Sequence, residues 1–197
     1  MVHAAHFQSC MNLKGALTEL GMRHDWLIGT NESLITRARN EMTATFLESD
    51  HSHMMWLDAD IEFSPEDVAK VWNLNADIGV GVYAMKKPGE DWYAAWVNGE
   101  LVKDLDQYTG PVEVDYAGTG FMLIRREVVE EMVKDIGSYE SKDGRRVHPL
   151  YMTPVHDDVF ESEDYFFCRR AREAGYKVVM DPSVRLKHWG QWAYGAS

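Results

Sequence analysis

The chain has 197 residues, enough for one full domain with a substantial core and short for two. Hydrophobic residues make up 45% and charged residues 26%, an ordinary balance for a globular protein. With 20 basic against 32 acidic residues the formal net charge is −12, which repels polyanions and argues against nucleic-acid binding. Two cysteines, Cys10 and Cys168, make neither a disulfide framework nor a zinc site and fit a reducing compartment. No apolar run approaches the ~20 residues of a membrane span, and no basic-then-apolar leader opens the chain. A cytoplasmic protein without a membrane span is the expectation.

Residues 2–20 carry Phe7, Cys10, Met11, Leu13, Leu17 and Leu20 near a 3.6-residue period, predicting an amphipathic helix stopped at Gly21. Asp25-Trp26-Leu27-Ile28-Gly29 reads as a short strand, followed by the polar loop Thr30-Asn31-Glu32-Ser33. A second helix is expected over residues 34–47, and Met54-Met55-Trp56-Leu57 reads as a buried strand. Ser64-Pro65-Glu66-Asp67 is a strong helix start, with Ser as N-cap and Pro at the first helical position. That helix should bury Val68, Val71 and Trp72.

Residues 76–83 predict another strand, and 92–104 a hairpin turning at Asn98-Gly99. Two apolar stretches surround Gly118-Thr119-Gly120, and a helix is expected from Arg126 to Ile136. Residues 138–160 are polar and turn-rich, with Asp143-Gly144 as a tight turn. Ser162 caps a helix over 163–174, and residues 176–180 form the last clear strand. A short tail carries His188 and Trp189. Strands alternate with helices in the first half and hairpins fill the second. This predicts a single α/β domain with a Rossmann-like, mostly parallel central sheet flanked by helices, plus antiparallel hairpin additions.

Asp58-Ala59-Asp60 follows the buried strand directly. Two carboxylates at i and i+2 beyond a strand end can reach one divalent cation, and hard cations such as Mg²⁺ or Mn²⁺ prefer oxygen ligands. The carboxyl end of a sheet strand is also where open α/β sheets place ligands. A cation there would let so acidic a protein hold a phosphorylated ligand. The competing reading is a solvated acidic turn.

Taken with Ala38-Arg39-Asn40, Gly118-Thr119-Gly120-Phe121, Glu163-Asp164 and His188 in that order, Trp56-Leu57-Asp58-Ala59-Asp60 resembles the nucleotide-sugar-dependent glycosyltransferases of the A-type fold. The resemblance is to the small, single-domain, inverting-like members and spans roughly residues 25–190. It implies that Asp60 binds Mn²⁺ or Mg²⁺, that Asp58 contacts the donor ribose or a metal-bound water, and that His188 completes the coordination. It further implies Arg39 and Asn40 as donor contacts, and Gly118, Thr119 and Gly120 as a wall of the sugar or acceptor site. Asp164 would be the general base toward the acceptor hydroxyl, with Glu163 as the alternative. The family's sheet normally opens with an apolar strand that helps hold the base of the nucleotide, whereas this chain begins at Met1-Val2-His3, at what resembles the helix after it; either the start is truncated or the protein manages without that strand.

The partners so implied are a nucleoside-diphosphate sugar and a hydroxyl acceptor. Two rivals stay open: a nucleotidyltransferase, and a non-catalytic nucleotide-sugar-binding module. Several residues have plain structural readings beside these. Glu163 and Asp164 suit the first turn of a helix, whose dipole should lower their pKa. Trp189 and Trp192 could stack on a sugar or simply close a core. Gly118 and Gly120 could mark a bulge. His156-Asp157-Asp158 reads as a solvated loop with an acceptor-side role left open, and Lys86-Lys87 as a surface pair that could also reach phosphate.

Overall fold

The computed structural model describes residues 2–30, 32–87, 92–190 and 193–194. Asn31 and Trp192 thus lie outside the described residues, as does the sugar-stacking role considered for Trp192. In chain order the elements are α1 (Ala4–Glu19), α2 (Ile35–Glu48), β1 (His53–Leu57), β2 (Ile61–Glu62), α3 (Pro65–Asn73) and β3 (Ile78–Val80). Next come β4 (Ala95–Val97), β5 (Glu100–Leu101), β6 (Val112–Glu113), β7 (Tyr116–Ala117), β8 (Phe121–Arg125) and α4 (Arg126–Met132). The last third holds β9 (Tyr139–Glu140), β10 (Arg146–Val147), β11 (Val155–His156), β12 (Val159–Phe160), α5 (Glu163–Glu173), β13 (Val178–Met180), β14 (Lys187–Trp189) and β15 (Ala193–Tyr194).

Local chemistry explains most boundaries. Ser64 and Asp67 form a reciprocal capping box at the start of α3, with Pro65 at its head. Gly21 and Gly175 stand just past α1 and α5 at φ 65° and 91°, the left-handed stop that glycine adopts without a Cβ penalty. The β4–β5 hairpin turns on Asn98 and Gly99, both at positive φ, as its sequence predicts. Asp157 and Asp158 also take positive φ, and they make the tip of the exposed β11–β12 hairpin. The helix from Arg126 closes at Met132, short of the expected Ile136.

The expected mostly parallel, Rossmann-like sheet is not what the chain builds. The largest sheet has the order β1-β8-β3-β13-β6, and only β3 with β13 is parallel. The pairs β1–β8, β3–β8 and β6–β13 are antiparallel. Four smaller sheets stand apart from it, and every pairing given for them is antiparallel. The physical cause is one insertion. Strands β1 and β3, joined through α3, run in the same direction, but β8 arrives from much later in the chain and pairs between them. The βαβ alternation is therefore real in sequence while its two strands never touch. The strand expected at residues 25–29 does not form: among the described residues no backbone–backbone hydrogen bond ties 25–29 to a neighbour, and Leu27 and Ile28 are exposed.

Side chains alternate across the sheet and divide the core into two. Met122 and Ile124 of β8 join Trp56, Phe46 of α2, Val128 and Val129 of α4, and Phe167 and Ala171 of α5. Phe121 and Leu123 point the other way, to Cys10 and Leu13 of α1 and Val71 of α3. Helices α2, α4 and α5 thus cover one face, and α1 and α3 the other. The buried face of α1 takes only half of its apolar set, Cys10, Leu13 and Leu17. His6, Ser9, Cys10 and Leu13 face inward, whereas Phe7 is 59% exposed. Polar pairing selects that face: the His6 ring nitrogen Nδ1 donates to the Ile61 carbonyl at 2.9 Å, and Ser9 Oγ accepts from the Phe63 N–H at 3.1 Å. Short β2 and its flank would otherwise bury unpaired backbone groups. Trp72, expected in the core, is 42% exposed and lies against the His53 ring.

Gly118 and Gly120 owe their identity to Tyr83. A Cβ on Gly118 would come within 2.3 Å of the Tyr83 hydroxyl, and one on Gly120 within 2.8 Å. The Gly120 N–H donates to that hydroxyl at 3.1 Å. Gly118→Ala should therefore destabilise the protein by about 2 kcal/mol through overpacking. Tyr83→Phe in the same background should recover part of the loss, a non-additivity that urea unfolding of the two single variants and the double variant would measure.

Candidate functional site

The acidic motif sits on a tight turn at the end of β1. The Asp58 N–H donates to the Gly120 carbonyl at 2.9 Å, and the Asp58 carbonyl accepts from the Ile61 N–H at 3.0 Å. From the amino-terminal side the His3 N–H donates to the Ala59 carbonyl at 2.9 Å. From the other end of the chain β14 pairs with β2, placing His188 opposite Ile61, and the Trp189 N–H donates to the Asp60 carbonyl at 2.8 Å. Three remote segments brace one turn.

The two carboxylates of the motif face different partners. Asp60 Oδ2 lies 2.5 Å from the Lys86 ammonium and 3.6 Å from His188 Nε2. Burial disfavours the charged Asp60 carboxylate, but the facing His188 ring and the Lys86 ammonium outweigh it and hold the group well below the usual carboxylate range. His188 Nδ1 donates to the Ala84 carbonyl at 2.9 Å, a bond that orients the ring with Nε2 directed toward Asp60. Tyr83 packs edge-on against that ring.

Asp58 instead receives Arg39 Nη2, at 3.0 and 3.2 Å from its two oxygens. Arg39 is 4% exposed and lies over the Trp56 ring, while Glu163 stands 3.8 Å from its Nε. That Nε has no hydrogen-bond partner among the described residues. Arg37, two residues earlier on α2, points elsewhere and pairs with Glu32 at 2.5 Å. Asn40 is not at the site: its amide clamps the Tyr151 backbone, donating to the carbonyl at 2.9 Å and accepting from the N–H at 2.8 Å.

Glu163 and Asp164 open α5 beside this arginine. Ser162 Oγ and the Tyr165 N–H both donate to Asp164 Oδ1, leaving Oδ2 uncommitted among the described residues. The helix dipole predicts lowered pKa values here, and the opposite holds. Burial raises Asp164 above the usual range despite those bonds, and burial together with the neighbouring Asp164 charge raises Glu163. Desolvation outweighs the dipole because both groups sit against the core.

Thr119 is buried and its hydroxyl has no partner among the described residues, so Gly118-Thr119-Gly120 flanks the motif through backbone rather than through an exposed wall. Trp189 has one face stacked on His3 at 4.3 Å and its indole N–H bonded to Glu62 at 2.7 Å. Sequence reading missed two members of the site, Lys86 and Tyr83. The closely spaced glycines signalled that something bulky packs there, but nothing in the chain named Tyr83.

Among the described residues no group of three or more His, Cys, Asp or Glu is gathered closely enough to hold a metal. Asp60 and His188 meet, whereas Asp58 is turned to Arg39. The Asp60 carboxylate is the kind of oxygen ligand that suits Mn²⁺ or Mg²⁺, which commonly take few protein ligands and complete their shell with phosphate and water, and His188 Nε2 is the imidazole nitrogen that faces it.

No family model matches the chain, and no curated protein matches it. Among solved structures it resembles A197 from STIV, with a TM-score of 0.56 and 18% identity over 91% of this chain and 78% of that one. That likeness is one of fold. None of the described helices is long and apolar enough to cross a membrane.

Two outcomes follow from these geometries. The raised pKa of Asp164 means the unfolded chain ionises this carboxyl first, near ~3.9, while the fold keeps its proton to higher pH. The contribution of this carboxyl to stability should therefore fall as pH rises through that interval, and Glu163, also raised, adds to the fall. Asp164→Asn should gain stability relative to wild type as pH rises through it, as denaturant unfolding of both across pH would show. Asn40→Ala should cost about 2 kcal/mol by stranding the buried N–H and carbonyl of Tyr151, and should leave ligand affinity unchanged in calorimetry.

Proposed function

We propose that the chain is a metal-dependent glycosyltransferase that moves a sugar from a nucleoside-diphosphate donor to a hydroxyl acceptor, with inversion. The observation that carries this reading is the approach of His188 Nε2 to Asp60 Oδ2 at 3.6 Å across most of the chain length, beside a separate pair of acidic groups with raised pKa. The reading rests on the site and not on the fold, since one fold hosts many chemistries.

Asp60 and His188 would hold Mn²⁺ or Mg²⁺, which when bound supplies positive charge against the diphosphate leaving group. Arg39, buried and with no hydrogen-bond partner for its Nε among the described residues, holds Asp58 in place and keeps positive charge beside the donor. Asp58 keeps about a third of its side chain exposed, so a ribose hydroxyl or a metal-bound water can reach it. Asp164 presents Oδ2 to the acceptor hydroxyl and takes its proton as the oxygen attacks the anomeric carbon. Burial raises its pKa above the usual carboxylate range, which makes it a stronger base than an ordinary aspartate. Glu163, itself raised by burial and by the neighbouring Asp164 charge, is the substitute base. Two free, buried cysteines fit a cytoplasmic setting.

The test is product formation from a panel of nucleoside-diphosphate sugars and hydroxyl acceptors, with and without EDTA. Chelation should abolish transfer. Asp60→Asn should lose metal-dependent donor binding, whereas Asp164→Asn should keep binding and lose about 10²–10⁴-fold in kcat, the usual worth of a general base. Undiminished turnover in EDTA, or in both variants, removes the assignment. Release of pyrophosphate in place of a nucleoside diphosphate would make the protein a nucleotidyltransferase, and donor binding without any product a binding module.

A further inference from the structure

Lys86 was read as one of a surface pair, yet it lies at the centre of the site just described. Its ammonium is 2.5 Å from Asp60 Oδ2, the same oxygen that His188 Nε2 faces at 3.6 Å. With Nδ1–H committed to the Ala84 carbonyl, the imidazole turns Nε2 toward that oxygen. The lysine ammonium is the nearer of the two groups that face the carboxylate. The stem of the lysine is seated as well. It runs across Gly190, where a Cβ would come within 3.3 Å of Lys86 Cδ and 3.6 Å of its Cε. The neighbouring Lys87 does something different, lying 3.8 Å over the Trp92 ring.

We propose that Lys86 is a resident cation of this seat, neutralising Asp60 until a divalent ion displaces it. The inference rests on the metal reading given above and adds a competitor to it. An Mg²⁺-sized ion binds carboxylate oxygen at ~2.0–2.1 Å, so on Oδ2 it would stand directly beside the ammonium now 2.5 Å from that oxygen. Like charges in contact repel. Metal binding therefore requires the lysine to swing out, and its four-carbon stem permits this. The released ammonium is then left beside the place a diphosphate would occupy, so the ion and an anionic ligand favour one another.

The experiment is Mn²⁺ binding to the full chain, followed by the electron paramagnetic resonance signal of the free ion. Lys86→Met should bind Mn²⁺ about tenfold more tightly than wild type, because no internal cation is displaced. Gly190→Ala, which crowds the stem, should shift affinity in the same direction. Without metal, Lys86→Met should melt below wild type, and saturating Mn²⁺ should close that gap. Equal or weaker Mn²⁺ affinity in Lys86→Met, with binding still lost in Asp60→Asn, overturns the competition alone. Mn²⁺ binding that survives Asp60→Asn, or is absent from wild type and Lys86→Met alike, overturns the metal reading and this proposal with it.

Discussion

The short ladder between β14 and β2 is the constraint on which the site depends. Two residue pairs, Lys187 with Glu62 and His188 with Ile61, bring the tail of the chain onto the turn that carries the aspartates. Around this ladder the Lys187–Glu62 ion pair at 3.2 Å and the Trp189–Glu62 hydrogen bond at 2.7 Å fix the register. A one-residue slip would turn His188 to the opposite face, because side chains alternate along a strand. The amino terminus closes the same turn from behind, through His3 on Ala59 and on the Trp189 ring. So few hydrogen bonds suffice because the β2 backbone is sheltered by α1, whose polar residues His6 and Ser9 satisfy its outer side.

The electrostatics divide the site into two halves. Asp58 and Asp60 each face a cation, Arg39 and Lys86, and the Asp60 carboxyl is held below its usual range. Glu163 and Asp164 lie on the far side of Arg39, where burial raises both. Neighbouring carboxylates with environments that push their pKa values apart are how one site separates charge-holding from proton-moving roles. The division also answers the charge problem of so acidic a chain. Positive charge is concentrated locally, on a buried arginine and a seated lysine, and does not have to come from the surface as a whole.

Much of the local structure was legible in the chain. The Ser64-Pro65 helix start, the Asn98-Gly99 turn and the glycine stops are short-range effects, written in residues that touch one another. The readings that failed were those in which a distant partner decides. Phe7 and Trp72 carry the apolar character that predicts burial, but His6 and Ser9 had backbone to satisfy, and Trp72 has no core to enter. Helix-dipole reasoning at Glu163 and Asp164 lost to desolvation, which depends on what packs over them. Asn40, carried over as a donor contact, binds the Tyr151 backbone across more than a hundred residues of sequence.

The sequence by itself determined the elements and the chemical inventory: an acidic pair at a strand end, an arginine on the preceding helix, acids opening α5, and a histidine in the tail. Each depends only on local propensity and composition. Tertiary structure decided the rest. It inserted β8 between β1 and β3, replacing a parallel core with a mostly antiparallel one, and it chose which cation meets which carboxylate. Strand order and ion pairing join residues far apart in the chain, and their energies arise only when those residues meet; no local pattern records that meeting.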